Sequence, residues 1–316
     1  MAFSRILLVV IASLSLPLVN GCGHRAVESD EQREMRDWLE NMVWHHGFSV
    51  DEVMAVTGKD RDGVQRLLEE HDIRVGERSS EPSTGGLLML PYPGGRHPRI
   101  GFLDGAIDPH RDTKLSVFLP WSGGGYVVVD LPEAIWFRPG GERKLLYLAH
   151  THIPTYWDER SVVLERFDWK REAVGDYTSR RRFPNGIEFW AHARVDGDVV
   201  RMELGLKNGS DEKITGLKTQ ICVMLKGAPE FNAQTQDNKV IEGEGMAVGS
   251  ANGKRWIVTQ WERARPWGNV NVPCMHADPT FPDLAPGAES ALRGTLSFWE
   301  GDDVREALRE SGSAKE

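Results

Sequence analysis

The stretch at residues 187–208, IEFWAHARVDGDVVRMELGLKN, decides the fold. Ile187, Phe189, Ala191, Ala193 and Val195 are apolar at every second position, and Glu188, Trp190, His192 and Arg194 fill the positions between. Strand side chains point alternately to two faces, so this segment reads as a strand with one core face and one outward face. Asp196-Gly197 follows, a pair that supplies the positive φ of a tight hairpin turn. Val200, Met202, Leu204 and Leu206 then alternate with Arg201, Glu203, Gly205 and Lys207, which makes the second arm of an antiparallel hairpin.

The same turn signal recurs on both sides of this hairpin. Asn185-Gly186, Asn208-Gly209 and Asn252-Gly253 each separate alternating or apolar runs, and residues 214–225 and 291–299 read as further long strands. No amphipathic helical pattern interrupts them before residues 304–309. The β pattern from residue 87 to 301 is far longer than an immunoglobulin-sized sandwich of about 100 residues. The expectation is a mainly β chain: a large antiparallel two-sheet sandwich, preceded by a small three-helix segment.

The chain begins differently. Arg5 precedes an apolar run over residues 6–18 that is too short to cross a bilayer comfortably, and Val19-Asn20-Gly21-Cys22 follows. That ending resembles a bacterial lipobox, which implies that Cys22 carries lipid and begins the mature chain. A plain secretory signal cut near Gly21 is the alternative. Both readings put the protein outside the cytoplasm, and the first anchors it to a membrane in the cell envelope.

The expected order is therefore a signal peptide (1–21), a tether (22–30), an acidic helical module (31–74), a Ser, Gly and Pro-rich linker (75–86), the β domain (87–301) and a tail (302–316). Residues 28–72 hold 13 Asp and Glu against 5 Lys and Arg. Met35, Trp38, Leu39, Met42 and Val43 follow helical spacing, Ser49 and Glu52 form a capping box, and Gly58 marks a helix end. FSVDEVMAVTGKDRDGVQRLLEEH resembles a helix-turn-helix, which implies DNA binding through a third helix starting near Asp60. That helix is acidic and would repel phosphate, so a packing or protein-interaction module is the preferred reading. With few contacts expected across the linker, the β domain should fold without this head.

The 316 residues carry a net charge of −9, a pI near 5.6, 40% hydrophobic and 27% charged side chains. Such a composition excludes a wholly disordered or collagen-like chain and argues against a nucleic-acid partner. With Cys22 lipidated, Cys222 and Cys274 are left, either paired in an oxidising compartment or buried as small apolar side chains. Serine-hydrolase, phosphate-loop and Cys-x-x-Cys signals are absent, and no cofactor is expected.

Several side chains could carry chemistry. On the outward face of residues 187–195, Trp190 offers a plate flanked by Glu188, His192 and Arg194, which suits a sugar site or a solvated face with cross-strand ion pairs. His150 and His152 could supply two metal ligands, with His276, Asp278 or Asp104 completing the set, or could simply hydrogen-bond at a strand end. Asn232 and Gln234 lie in an amide-rich loop at residues 231–239, and Trp267 is placed in a loop between Pro266 and Gly268 as a second plate.

GDVVRMELGLKNGS and ITGLKTQICVML resemble the galactose-mutarotase-like β-supersandwich. HPRIGFLDGAIDPHRDTKLSVFLPW, YLAHTHIPTYWD and FNAQTQDNK are similar to a family of bacterial envelope proteins. The first resemblance implies a histidine acid and a carboxylate base for sugar ring opening: His152, His192 or His276 with Glu188, Glu300 or Asp104. Carbohydrate binding or processing is the leading reading, a non-catalytic surface or assembly protein the alternative, and a metal-dependent hydrolase the third.

Overall fold

The computed structural model describes residues 29–77, 86–94, 111–150, 153–233, 235–269 and 272–313. Cys22, Asp104, His152 and Gln234 lie outside the described residues. The helices of the head are α1 (Asp30–Glu40), which continues as a π-helical turn over Asn41–His45, α2 (Val50–Thr57) and α3 (Arg61–Glu70). The strands follow: β1 (Met89–Pro91), β2 (Lys114–Phe118), β3 (Tyr126–Phe137), β4 (Lys144–Leu148), β5 (Lys170–Ala173), β6 (Asp176–Arg182), β7 (Ile187–Asp196) and β8 (Val199–Asn208). Next come β9 (Lys218–Met224), β10 (Lys239–Glu242), β11 (Gly245–Gly249), β12 (Arg255–Trp261), β13 (Ala264–Gly268), β14 (Cys274–Pro279) and β15 (Glu289–Glu300), with α4 (Val304–Ser313) last.

The strands form two antiparallel sheets. One runs β1-β2-β3-β9-β14-β13 with β4 also on β3, and the other runs β10-β11-β12-β15-β8-β7-β6-β5. Their facing sides share one core, in which Val129, Ile221, Val223 and Met275 meet Phe189, Leu204, Leu206 and Trp261. The alternation of residues 187–195 is realised as expected. Phe189 is fully buried, while Glu188, Trp190, His192 and Arg194 face outward.

Turn chemistry explains three hairpins: Asn185-Gly186 joins β6 to β7, Asp196-Gly197 joins β7 to β8, and Asn252-Gly253 joins β11 to β12. Asn208-Gly209 differs, because no hairpin partner follows and the chain crosses to β9 in the other sheet. Asn208 is buried and donates to the Glu212 and Leu284 carbonyls. Gly209 allows a close approach: a Cβ there would sit 2.3 Å from the Gly186 oxygen. Space beside a ring fixes other glycines. Gly205 faces Trp190, Gly294 faces Trp261 and Gly249 faces Trp256 across neighbouring strands, where a Cβ would come within 2.0, 2.2 and 2.8 Å of the rings. Three of the eleven tryptophans thus pack as indoles against glycines of neighbouring strands.

Two covers complete the sandwich. Helix α4 lays Val304, Ala307 and Leu308 on Ala247 and Val258, at one end of the eight-stranded sheet's outer face. The helical head reaches the outer face of the seven-stranded sheet. His46 Nε2 lies 2.7 Å from Ser116 Oγ, its ring meets Tyr126 edge-on at 4.6 Å, and Asn41 Nδ2 donates to the Pro91 carbonyl at 2.8 Å. These contacts depart from the expectation that head and sandwich share little. The linker between them is polar, but contact depends on the apolar and hydroxyl side chains that both ends present.

Capping explains the head's order. Ser29 with Gln32 and Ser49 with Glu52 form capping boxes, Gly58 closes α2 in the left-handed region, and Asp60 caps α3. Among the described residues no helix is long and apolar enough to cross a membrane.

Candidate functional site

The outward side chains of the seven-stranded sheet converge on a buried polar cluster. Cys274, His276 and Asp278 alternate along β14, so all three leave the same face. The register pairs Asp130 with Cys222, Cys222 with His276, and His276 with Trp267, making one row across four strands.

Glu133 joins this row through a bulge. Between the pairs Asp130↔Cys222 and Ala134↔Gln220, β3 advances four residues while β9 advances two. The additional residues loop out, and Glu133, which strict alternation would turn toward the core, brings its carboxylate to the outer side. It lies 3.3 Å from His150 Nε2 and 3.9 Å from His276 Nδ1. His150, two residues beyond β4, also lies 3.2 Å from Asp130. Lys114 is fully buried, with Nζ 3.1 Å from Asp130 and donating to the Ala149 carbonyl at 3.0 Å.

His276 is the best-anchored group. Its Nδ1 is 3.3 Å from Asp278 Oδ1, its Nε2 is 3.6 Å from Cys274 Sγ, and the indole of Trp267 stacks on its ring at 4.0 Å. Trp267 Nε1 donates to Asp278 Oδ2 at 2.6 Å, so one carboxylate holds both rings. Burial pulls the imidazole's pKa down, but Asp278, Cys274 and Glu133 outweigh it and raise it to about 10. A hydrogen bond from Cys222 is the largest influence on the Cys274 thiol; burial opposes it, His276 adds to it, and the pKa falls to about 5. Burial pushes the Cys222 thiol well up. Burial would also raise Asp130 and Glu133, yet Lys114 and His150 hold the first, and His150 and His276 the second, below the ordinary carboxylate range.

Beside this cluster the surface opens into a groove of about 190 Å³, lined among others by Trp136, Arg143, Lys218, Gln220, Arg265 and Trp267. Trp267 is 37% exposed, with one ring face on His276. It stands on the edge strand β13 and not in a loop; Pro266 is tolerated because an edge strand need not donate on its open side. Gln236 of the amide-rich loop donates to the Gly268 carbonyl at 2.8 Å, which ties that loop to the same strand, and Asn232 is exposed.

The other sequence candidates lie elsewhere. On the outer face of the eight-stranded sheet, Glu188 pairs with Arg180 at 2.5 Å and His192 with Asp176 at 2.8 Å. Trp190 lies between them with Arg180 over its ring, and Arg194 is exposed. Glu300 ends β15 in a pair with Arg255. The structure therefore brings together His150, His276 and Trp267, and separates them from Glu188, His192 and Glu300. Lys114, Asp130 and Glu133 escaped the sequence reading. The alternating Cys274-x-His276-x-Asp278 was a usable signal for β14, whereas the bulge at Glu133 has no comparably simple one. Cys222 and Cys274 are both buried as free thiols.

The fold is a two-sheet antiparallel β-sandwich with a helical head. No protein-family model matches the chain, and no curated protein matches it. Among solved structures it is similar to a polysaccharide lyase at 12% identity and TM-score 0.43, over 72% of this chain and 34% of the lyase. A protein assigned as a kojibiose phosphorylase, from the human microbiome, gives 9% identity and TM-score 0.34, over 60% of this chain and 26% of that one. A protein assigned as an aldose 1-epimerase, from Klebsiella pneumoniae, gives 10% and 0.29, over 64% and 58%. The chain thus spans only part of each.

Proposed function

We propose that this protein is an extracytoplasmic lipoprotein that binds carbohydrate in the groove over Trp267. The observation that carries the reading is the Trp267 plate. Its ring is backed by His276, its Nε1 is held by Asp278, and part of its surface is open to solvent beside the groove. Sugars present C–H faces that stack on such a ring, and their hydroxyls need donors and acceptors around it. Arg143, Lys218, Gln220 and Arg265 supply donors, and Asp278 and Gln220 supply acceptors. The cavity is below the about 300 to 1,000 Å³ typical for drug-sized ligands, which suits one sugar unit.

The anchor rests on the sequence ending Val19-Asn20-Gly21-Cys22. Intact mass and detergent partitioning of the mature protein test it, and a water-soluble form without acyl mass overturns it. A saccharide array followed by titration calorimetry tests the site. Trp267→Ala should lose most affinity, while Trp190→Ala on the opposite side should keep it. Equal binding by wild type and Trp267→Ala overturns the reading. Polarimetry on the bound sugar shows whether binding is accompanied by ring opening.

A further inference from the structure

We infer that Cys222, Cys274 and His276 form a binding site for a thiophilic d10 metal ion, Zn²⁺ or Cu⁺. This goes beyond sugar binding and uses atoms that the groove does not. The three ligand atoms lie within 4.8 Å of one another. In a tetrahedral zinc site with Zn–S near 2.3 Å and Zn–N near 2.0 Å, neighbouring S and N ligands stand about 3.5 Å apart and two sulfurs about 3.8 Å apart. The observed separation of Cys274 Sγ from His276 Nε2 is 3.6 Å. The Cys274–His276 pair thus already stands at ligand spacing, with Cys222 Sγ within 4.8 Å of both.

The surroundings agree with this ligand set. Metal-binding histidines usually donate their second ring nitrogen to a carboxylate, which fixes the tautomer and the ring plane. Asp278 sits 3.3 Å from Nδ1, leaving Nε2 for the ion, and the stacked Trp267 restricts ring rotation. Adjacent strands hold all three ligands on one face, because Cys222 is the register partner of His276 and Cys274 lies two residues before it. Cys222, Cys274 and His276 are 0%, 1% and 3% exposed, so bulk solvent does not reach the ligand atoms. Two thiolates and an imidazole select a soft or borderline ion over Mg²⁺ or Ca²⁺.

A second group, Asp130, Glu133 and His150, also brings three donor atoms close together. There the Lys114 ammonium stands 3.1 Å from Asp130 and already supplies a fixed cation. In the thiol group no lysine ammonium is hydrogen-bonded to a ligand atom among the described residues, and the carboxylates of Asp278 and Glu133 stand 3.3 and 3.9 Å from His276.

The full chain, purified in reducing chelator-free buffer, is titrated with Co²⁺ as a spectroscopic stand-in for Zn²⁺. Expected are a thiolate-to-cobalt charge-transfer band and the strong d–d bands of four-coordinate cobalt, its fourth position taken by a water molecule that enters with the ion, saturating at about one equivalent. Added Zn²⁺ bleaches them, and both thiols become protected from a thiol reagent. Elemental analysis after dialysis with Zn²⁺, and an anaerobic Cu⁺ titration, identify the preferred ion. Cys274→Ala should abolish the bands. Asp278→Asn, which keeps the shape, should weaken binding about 10- to 100-fold with unchanged circular dichroism. Reduced protein that gives no thiolate band, bands that persist in Cys274→Ala, or a Cys222–Cys274 disulfide that forms equally fast with and without Zn²⁺ would each overturn the inference. Sugar binding reads out separately, since it depends on the outer face of Trp267 and survives in Cys222→Ala if only the metal site is lost.

Discussion

Lys114→Met should destabilise the sandwich more than any surface change of similar size. The ammonium is fully buried, 3.1 Å from the fully buried Asp130, and it also donates to the Ala149 carbonyl. Removing it leaves Asp130 with the Thr113 hydroxyl at 3.3 Å and His150 at 3.2 Å, and no fixed positive charge. Breaking one partner of a buried ion pair costs about 3 to 5 kcal/mol, mainly because the other charge stays buried and uncompensated. For a domain of this size each kcal/mol moves the melting midpoint by about 2 to 4 °C, so the variant should melt about 6 to 20 °C lower.

The pH dependence separates this cause from simple loss of packing. In the wild type Asp130 is held below its ordinary pKa, so its stabilisation is present above the unfolded value of 3.8 and lost as pH falls through the folded value. In Lys114→Met burial dominates, Asp130 is pushed up, and the penalty is relieved as acid protonates it. The deficit between variant and wild type should therefore shrink between neutral pH and pH 4. Urea unfolding followed by tryptophan fluorescence across that range measures it. Adding Asp130→Leu should restore most of the loss, because a well-packed apolar pair of similar volume tends to match a buried ion pair. A deficit below about 1 kcal/mol, or a double variant worse than the single one, would refute the reasoning.

Other expectations are simpler to measure. Phe189→Ala should cost about 3 to 5 kcal/mol in urea unfolding, whereas the exposed Arg194→Ala should stay within about 0.5 kcal/mol. Gly205→Ala must displace the Trp190 ring, since the new Cβ would lie 2.0 Å from it; a red-shifted tryptophan emission checks this, and unchanged emission counts against the packing described. Deleting residues 29–77 uncovers Phe118 and Tyr126, so the remaining chain should melt lower and bind a hydrophobic dye; an identical midpoint would show that the head contributes no packing.

How much of this was readable depends on the range over which each feature is encoded. The two arms of the β7–β8 hairpin and its turn lie within 22 consecutive residues, and their alternation gave the correct register directly. Asn208-Gly209 misled because a local turn signal and a close backbone approach use the same residue types. At the site, His276 and Trp267 were singled out from residue chemistry alone. Their meeting with Lys114, Asp130 and Glu133 depends on β3 pairing with β9, some 90 residues later in the chain, and on a bulge that no period marks.

YVVVDL in β3 and ICVM in β9 are apolar almost without alternation, unlike β7. Strands of that kind are buried on both faces, and a sandwich alone buries only one. A cover over the outer side is thus already required by these strands, and His46, set beyond the π-helical turn that extends α1, reaches across to meet it. Burial of Lys114, Asp130, Cys222 and His276 follows from the same requirement, because they share that covered face with Val128 and Met224. The head and the polar cluster therefore belong to one packing unit. His46→Ala should leave the Ser116 hydroxyl without its partner at a cost of about 1 to 3 kcal/mol. It should also speed thiol-reagent labelling of Cys222 and Cys274, and labelling at the wild-type rate would show that another part of the chain seals the face.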